Sequence, residues 1–76
     1  MIKNFDRIVL TEDIQDEGLK LGDVGTVVEI YNQGEGFEVE FFTLKGETRA
    51  VVTLLANQVR EIKSQDVPNA RSLEAA

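Results

Sequence analysis

The segment Phe37-Glu38-Val39-Glu40-Phe41 alternates apolar and acidic residues without a break. A period of two belongs to a strand with one face on a core and the other in water. Phe37, Val39 and Phe41 therefore face inward together, and a chain containing such a strand must supply a sheet around it. Thr26-Val27-Val28-Glu29-Ile30-Tyr31 supplies one neighbour, rich in β-branched and aromatic residues and set off by Gly22 and Gly25 before and by the glycine-containing loop 32–36 after. Thr43-Leu44-Lys45-Gly46 reads as a tight turn with glycine last, leading into a third β-prone run, Thr48 to Leu54. Arg7 to Thr11 precedes these as a strand, and Gln58 to Ile62 follows as a short one.

No window repeats apolar residues at three- and four-residue spacing over three turns. The only helical expectation is a single 3-10 turn around Leu55-Ala56-Asn57-Gln58. Five short strands with turns between them predict an all-β domain over residues 1–63, closed or nearly closed into a small barrel. Residues 64–76 contain the only proline and little to bury, and read as a loose tail. Its last six residues, from Arg71, are compatible with native or vector-derived sequence and enter no functional reading.

Composition then removes most chemistry. The chain has 76 residues, 8 basic against 14 acidic side chains, and no cysteine, histidine or tryptophan. A chain this short buries only about 60% of its unfolded surface, enough for one modest core. Without cysteine or histidine there is no disulfide framework, no thiol nucleophile, no thiolate or imidazole metal site and no imidazole base. Ser64 and Ser72, the only serines, lie in the tail, away from any serine-hydrolase constellation. The expectation is a non-enzymatic protein with no cofactor, no metal and no catalytic residue. The N-terminal seven residues are too charged for a signal peptide, and no apolar stretch approaches the roughly 20 residues of a membrane span, so the predicted location is cytoplasmic.

Side-chain parity maps the surface, because a one-residue slip turns a strand inside out. If Val28 and Ile30 face inward with Phe37, Val39 and Phe41, then Ile30 lies opposite Phe37 or Val39. Glu29 then meets Glu38 in the first register and Glu40 in the second. Two carboxylates face each other in either case, at a cost of a few tenths to about 1 kcal/mol unless compensated. Arg49, outward on the next strand, is the expected compensation, beside Glu40 in one register and Phe42 in the other. Tyr31 shares the wet face, while Phe42 and Val51 place bulk where polar residues belong. Phe41-Phe42 marks either a bulged corner or an exposed anchor. Glu29, Tyr31, Glu38, Glu40, Phe42 and Arg49 are the candidate partner-binding residues, and the alternative reading is a plain solvated sheet face.

The other motifs carry less chemistry. Residues 11–23 hold five acids, but Gln15 stands where a calcium loop needs an acid or asparagine, so a solvated loop with turn-forming carboxylates is expected. Paired carboxylates without a cleft or tryptophan platform do not suit glycoside hydrolysis. Gly22-Asp23-Val24-Gly25-Thr26 lacks the spacing and lysine of a phosphate loop. Its two glycines instead require φ > 0 or close passage by a neighbouring strand. Such glycine-led strands occur in SH3-like barrels of RNA- and ribosome-associated modules, which makes an RNA-associated module the alternative function. A net charge of −6 opposes phosphate binding. Proline-rich peptide recognition would demand aromatics that the core needs.

Taken together, Phe5-Asp6, Val9-Leu10, Gly18-Leu19-Lys20, Gly22-Asp23-Val24-Gly25-Thr26-Val27-Val28, Val39-Glu40-Phe41, Gly46-Glu47-Thr48, Val52-Thr53-Leu54 and Val59-Arg60 resemble a family of short bacterial, often cyanobacterial, proteins, domain-of-unknown-function family 4926. The resemblance covers about residues 3 to 62 and implies a five-stranded SH3-like barrel. It brings no activity, cofactor or catalytic residue. Members look like stand-alone proteins, some encoded beside another small protein, which suits a partner-neutralising role of antitoxin or immunity type. The expected partner is a protein or a second copy of the chain.

Overall fold

The computed structural model describes residues 1–72. Its strands are β1 (Arg7–Leu10), β2 (Val24–Tyr31), β3 (Gly36–Phe42), β4 (Thr48–Leu55) and β5 (Val59–Glu61), with 3-10 turns at Gln15–Glu17 and Ala56–Gln58. All five expected strands form, and so does the turn before the last one. They pair antiparallel in one sheet of order β4-β3-β2-β1-β5. Among the described residues the sheet does not close: β4 and β5 are its two edges, so of the closed and nearly closed alternatives it is a loose, open barrel that forms. It curls nonetheless, since Leu54 on one edge strand and Val59 on the other share one core cluster with Ile8, Leu10, Val27, Phe37, Val39 and Phe41. Full burial of Ile8, Leu10, Val27, Val39 and Leu54 contributes about 1.5–3 kcal/mol each.

The register between β2 and β3 places Ile30 opposite Phe37 and Glu29 opposite Glu38, the first of the two expected alternatives. Val28 was expected inward with Ile30, and here the parity is corrected. The register shifts between Val27 and Glu29, and it is Val27, opposite Val39, that is fully buried. Ile30 and Val27 are an odd number of residues apart, so both can reach the core only if one extra residue, Val28, is bulged out of the ladder.

The two glycines before β2 serve different ends. Gly22 has φ +93°, at the third position of a turn closed by Asp23 N–H on Lys20 C=O. Gly25 has no positive φ. A Cβ there would lie 2.5 Å from Val39 Cγ1 and 2.8 Å from Phe41 Cε1, so the missing side chain lets β2 pass over the two core residues.

A recurrent local device ties down the chain outside the strands. At Lys3–Asp6, Lys20–Asp23 and Lys63–Asp66 the aspartate N–H donates to the lysine carbonyl, and the lysine N–H donates to the aspartate carboxylate at 2.7–2.9 Å. Each Lys-x-x-Asp turn closes itself from both ends. In the first, Phe5 occupies the position that Gly22 holds in the second, with φ +70°.

The acidic loop has an anchor that its composition hides: Ile14 pairs with Leu19, and Leu19 is buried in the core. The expected loose tail is held at two points. Arg60 grips Asp66 through its two terminal guanidinium nitrogens, each at 3.0 Å, and Arg71 grips Asp23 at 2.9 and 2.6 Å while donating to the Gly18 carbonyl. Residues 73–76 of the expected tail lie outside the described residues.

Candidate functional site

β2, β3 and β4 lay their outward side chains in rows across the wet face. Tyr31, Gly36 and Leu55 form one row, Glu29, Glu38 and Thr53 the next, and Thr26, Glu40 and Val51 the third, with Phe42 opposite Thr48 beyond them. The β2 bulge sets this order, because it keeps both Glu29 and Thr26 on the outer face while Val27 points in. The structure thus brings Glu29, Tyr31, Glu38, Glu40 and Phe42 onto one surface.

The carboxylates are satisfied by hydroxyl groups. Thr53 Oγ1 donates to Glu38 Oε1 at 2.5 Å, and Thr48 Oγ1 donates to Glu40 Oε2 at 2.5 Å. Tyr31 OH reaches the same Glu38 oxygen at 3.4 Å. Its ring lies beside the bare Gly36, where an added Cβ would stand 4.0 Å from Tyr31 Cδ2. An aromatic cross-strand neighbour covers a strand glycine in this way. Burial raises the tyrosine pKa above 10.0, and the charges of Glu38 and Glu29 raise it further.

Arg49 does not provide the expected compensation. Phe41 pairs with Ala50 and Phe42 with Thr48, so Arg49 is the extra residue of a second bulge, with no cross-strand partner among the described residues. Val51, not Arg49, lies opposite Glu40. Among the described residues no cation forms an ion pair with Glu29, Glu38 or Glu40, and none of the ion pairs includes Arg49. Thr48 and Thr53 are the hydrogen-bond donors on this face that the parity reading missed. The signal was half present: Thr53 has the outward parity of β4, whereas Thr48 shares the inward parity of Ala50, Val52 and Leu54 and reaches Glu40 only through the bulge at Arg49.

Phe42 is 41% exposed, Tyr31 38% and Val51 53%. The bulged corner lies at Phe41-Phe42, and Phe42 nonetheless stays outside. Elsewhere carboxylates serve the backbone. Asp13 accepts the Leu21 N–H, and Asp23 accepts both Lys20 N–H and Arg71. Among the described residues no three carboxylates converge on a point where a cation could sit. No helix among them is long and apolar enough to cross a membrane.

Fold and surface define a small all-β domain with an acidic, partly apolar sheet face. The chain belongs to the family described as Domain of unknown function (DUF4926), whose model matches residues 4–61. No curated protein and no solved structure matches the chain.

Proposed function

We propose that this chain is a non-enzymatic protein-interaction module whose outer face on β2, β3 and β4 receives a basic segment of a protein partner. One observation carries this reading: Glu29, Glu38 and Glu40 are neighbours on one surface, two of them held only by neutral hydroxyls, with no cation paired to any of them among the described residues. Like charges across strands cost a few tenths to about 1 kcal/mol, and an approaching lysine or arginine relieves that cost. Phe42 and Val51 at the margin add apolar contact of the kind interface centres favour. Arg49, on the β4 edge, sets orientation by repelling a cation that arrives in the wrong register. The competing RNA-associated role calls for a cationic surface, which this face opposes.

The test uses the full chain as bait in lysate of its native host. At low salt a basic protein is retained and then released by moderate salt, and the charge-reversed variant with Glu29→Lys and Glu40→Lys fails to retain it. Recovery of the chain alone at low salt overturns the reading. Filter binding to total RNA is expected to show no salt-dependent retention, and strong retention that weakens with salt would favour the RNA role instead.

A further inference from the structure

The two edges of this open sheet are built differently. β5 is three residues long, carries Arg60 and Glu61, and has the N-terminal ammonium on the Glu61 carboxylate at 3.1 Å. A short, charged strand is how an edge is protected from further pairing. β4 is eight residues long, Thr-Arg-Ala-Val-Val-Thr-Leu-Leu, with one charge, no proline and no lysine. In an antiparallel pair, alternate residues point their N–H and C=O groups away from the partner strand. Among the described residues β4 pairs only with β3, so its other side presents such a row, flanked by exposed Val51 and Leu55 on the outer face and half-buried Ala50 and Val52 on the inner.

We infer that the β4 edge is a self-association site, where a second copy of this chain adds its own β4 antiparallel across a two-fold axis at Val51, joining the two sheets into one. The occupant follows from charge and parity. With Val51 facing its symmetry mate, Ala50 of each copy comes beside Val52 of the other, and apolar meets apolar on the inner face. On the outer face Arg49 of each copy comes alongside Thr53 of the other, next to the Glu38 carboxylate that Thr53 holds. The arginine with no ion pair among the described residues of one copy thus meets the acidic row of the other. A register shifted by one pair would place Arg49 against Leu55. The contact is short and falls below the roughly 1,000 Å² of a stable interface, so dissociation constants from about ten micromolar to about one millimolar are expected. This inference rests on the sheet edge, and it shares Arg49, Val51 and the Glu38 carboxylate with the acidic face.

Sedimentation equilibrium of the full chain from micromolar to millimolar concentration tests it. A monomer–dimer equilibrium is expected, weakened severalfold by Arg49→Glu and abolished over that range by Val51→Lys. Dilute Val51→Lys should keep the wild-type melting temperature, because Val51 is 53% exposed. The chain has no cysteine, so introduced thiols give an independent readout that does not depend on that variant folding. Val51→Cys should oxidise to a covalent dimer much faster than Thr53→Cys. A chain monomeric throughout, a dimer indifferent to Val51→Lys, or faster cross-linking at Thr53 each overturns the proposal. A wild-type chain that dimerises but retains no basic protein would instead count against the acidic face alone.

Discussion

Gly25 and Phe5 show how much one residue's backbone can matter in a domain this small. Gly25 is a glycine for space: a methyl group there enters the van der Waals shells of Val39 and Phe41, both buried. Overpacking of this kind costs about 1–3 kcal/mol, a large share of a small domain's stability. Phe5 is the reverse, a bulky residue at φ +70° with its side chain 75% exposed. Left-handed backbone disfavours any L side chain, and little burial is lost on removing this one. Gly25→Ala is therefore expected to lower the urea midpoint sharply, while Phe5→Gly raises it by the equivalent of about 1 kcal/mol. A neutral Gly25→Ala would mean that β2 does not run as close to the core as described.

Between elements, the cross-strand row of Tyr31, Glu29 and Glu38 gives a spectroscopic handle. Burial and the two carboxylates raise the phenol pKa, so folding favours the neutral tyrosine. A group raised in the folded state adds stability that is fully present below its unfolded pKa, near 10, and is lost as pH rises through the folded value. Tyr31 is the only tyrosine and there is no tryptophan, so tyrosinate absorbance reports it alone. Glu38→Gln is expected to shift that titration downward, towards the ordinary value, and an unchanged curve would separate the ring from Glu38. The same elements explain what parity missed. The two bulges, at Val28 and Arg49, reconcile strands whose inward residues are out of phase, and nothing in either strand alone demands them.

At the scale of the whole molecule, the tail and the acidic loop are coupled to the sheet by carboxylates held in the charged form. The Arg60 guanidinium, helped by the Lys63 N–H, holds Asp66 at about 2. Burial pushes Asp23 upward, but Arg71 and the Lys20 N–H outweigh it and the net shift is downward. Carboxylates depressed in this way add stability above their unfolded pKa, near 3.8, and lose it as pH falls through the folded value. Exposed pairs are individually weak, so the expected event is local. Between about pH 4 and about pH 2, amide exchange should rise first over residues 63–72, with the strands still protected. Simultaneous loss of protection in tail and strands would show that the tail is not a separately released unit.

Much of this architecture is legible in the amino-acid order. Alternation in Phe37 to Phe41 determined a half-buried strand, β-branched runs between glycine-rich turns determined its neighbours, and the absence of histidine and cysteine removed whole classes of chemistry. These are local properties, read over a few residues at a time. Tertiary structure alone decided which glutamate faces which, that threonine hydroxyls rather than Arg49 stand beside them, that Leu19 pins the acidic loop, and that the sheet stays open with one protected and one unprotected edge. Each of these depends on register between segments distant in the chain. Register is settled by how all the inward side chains pack together, which no single strand encodes.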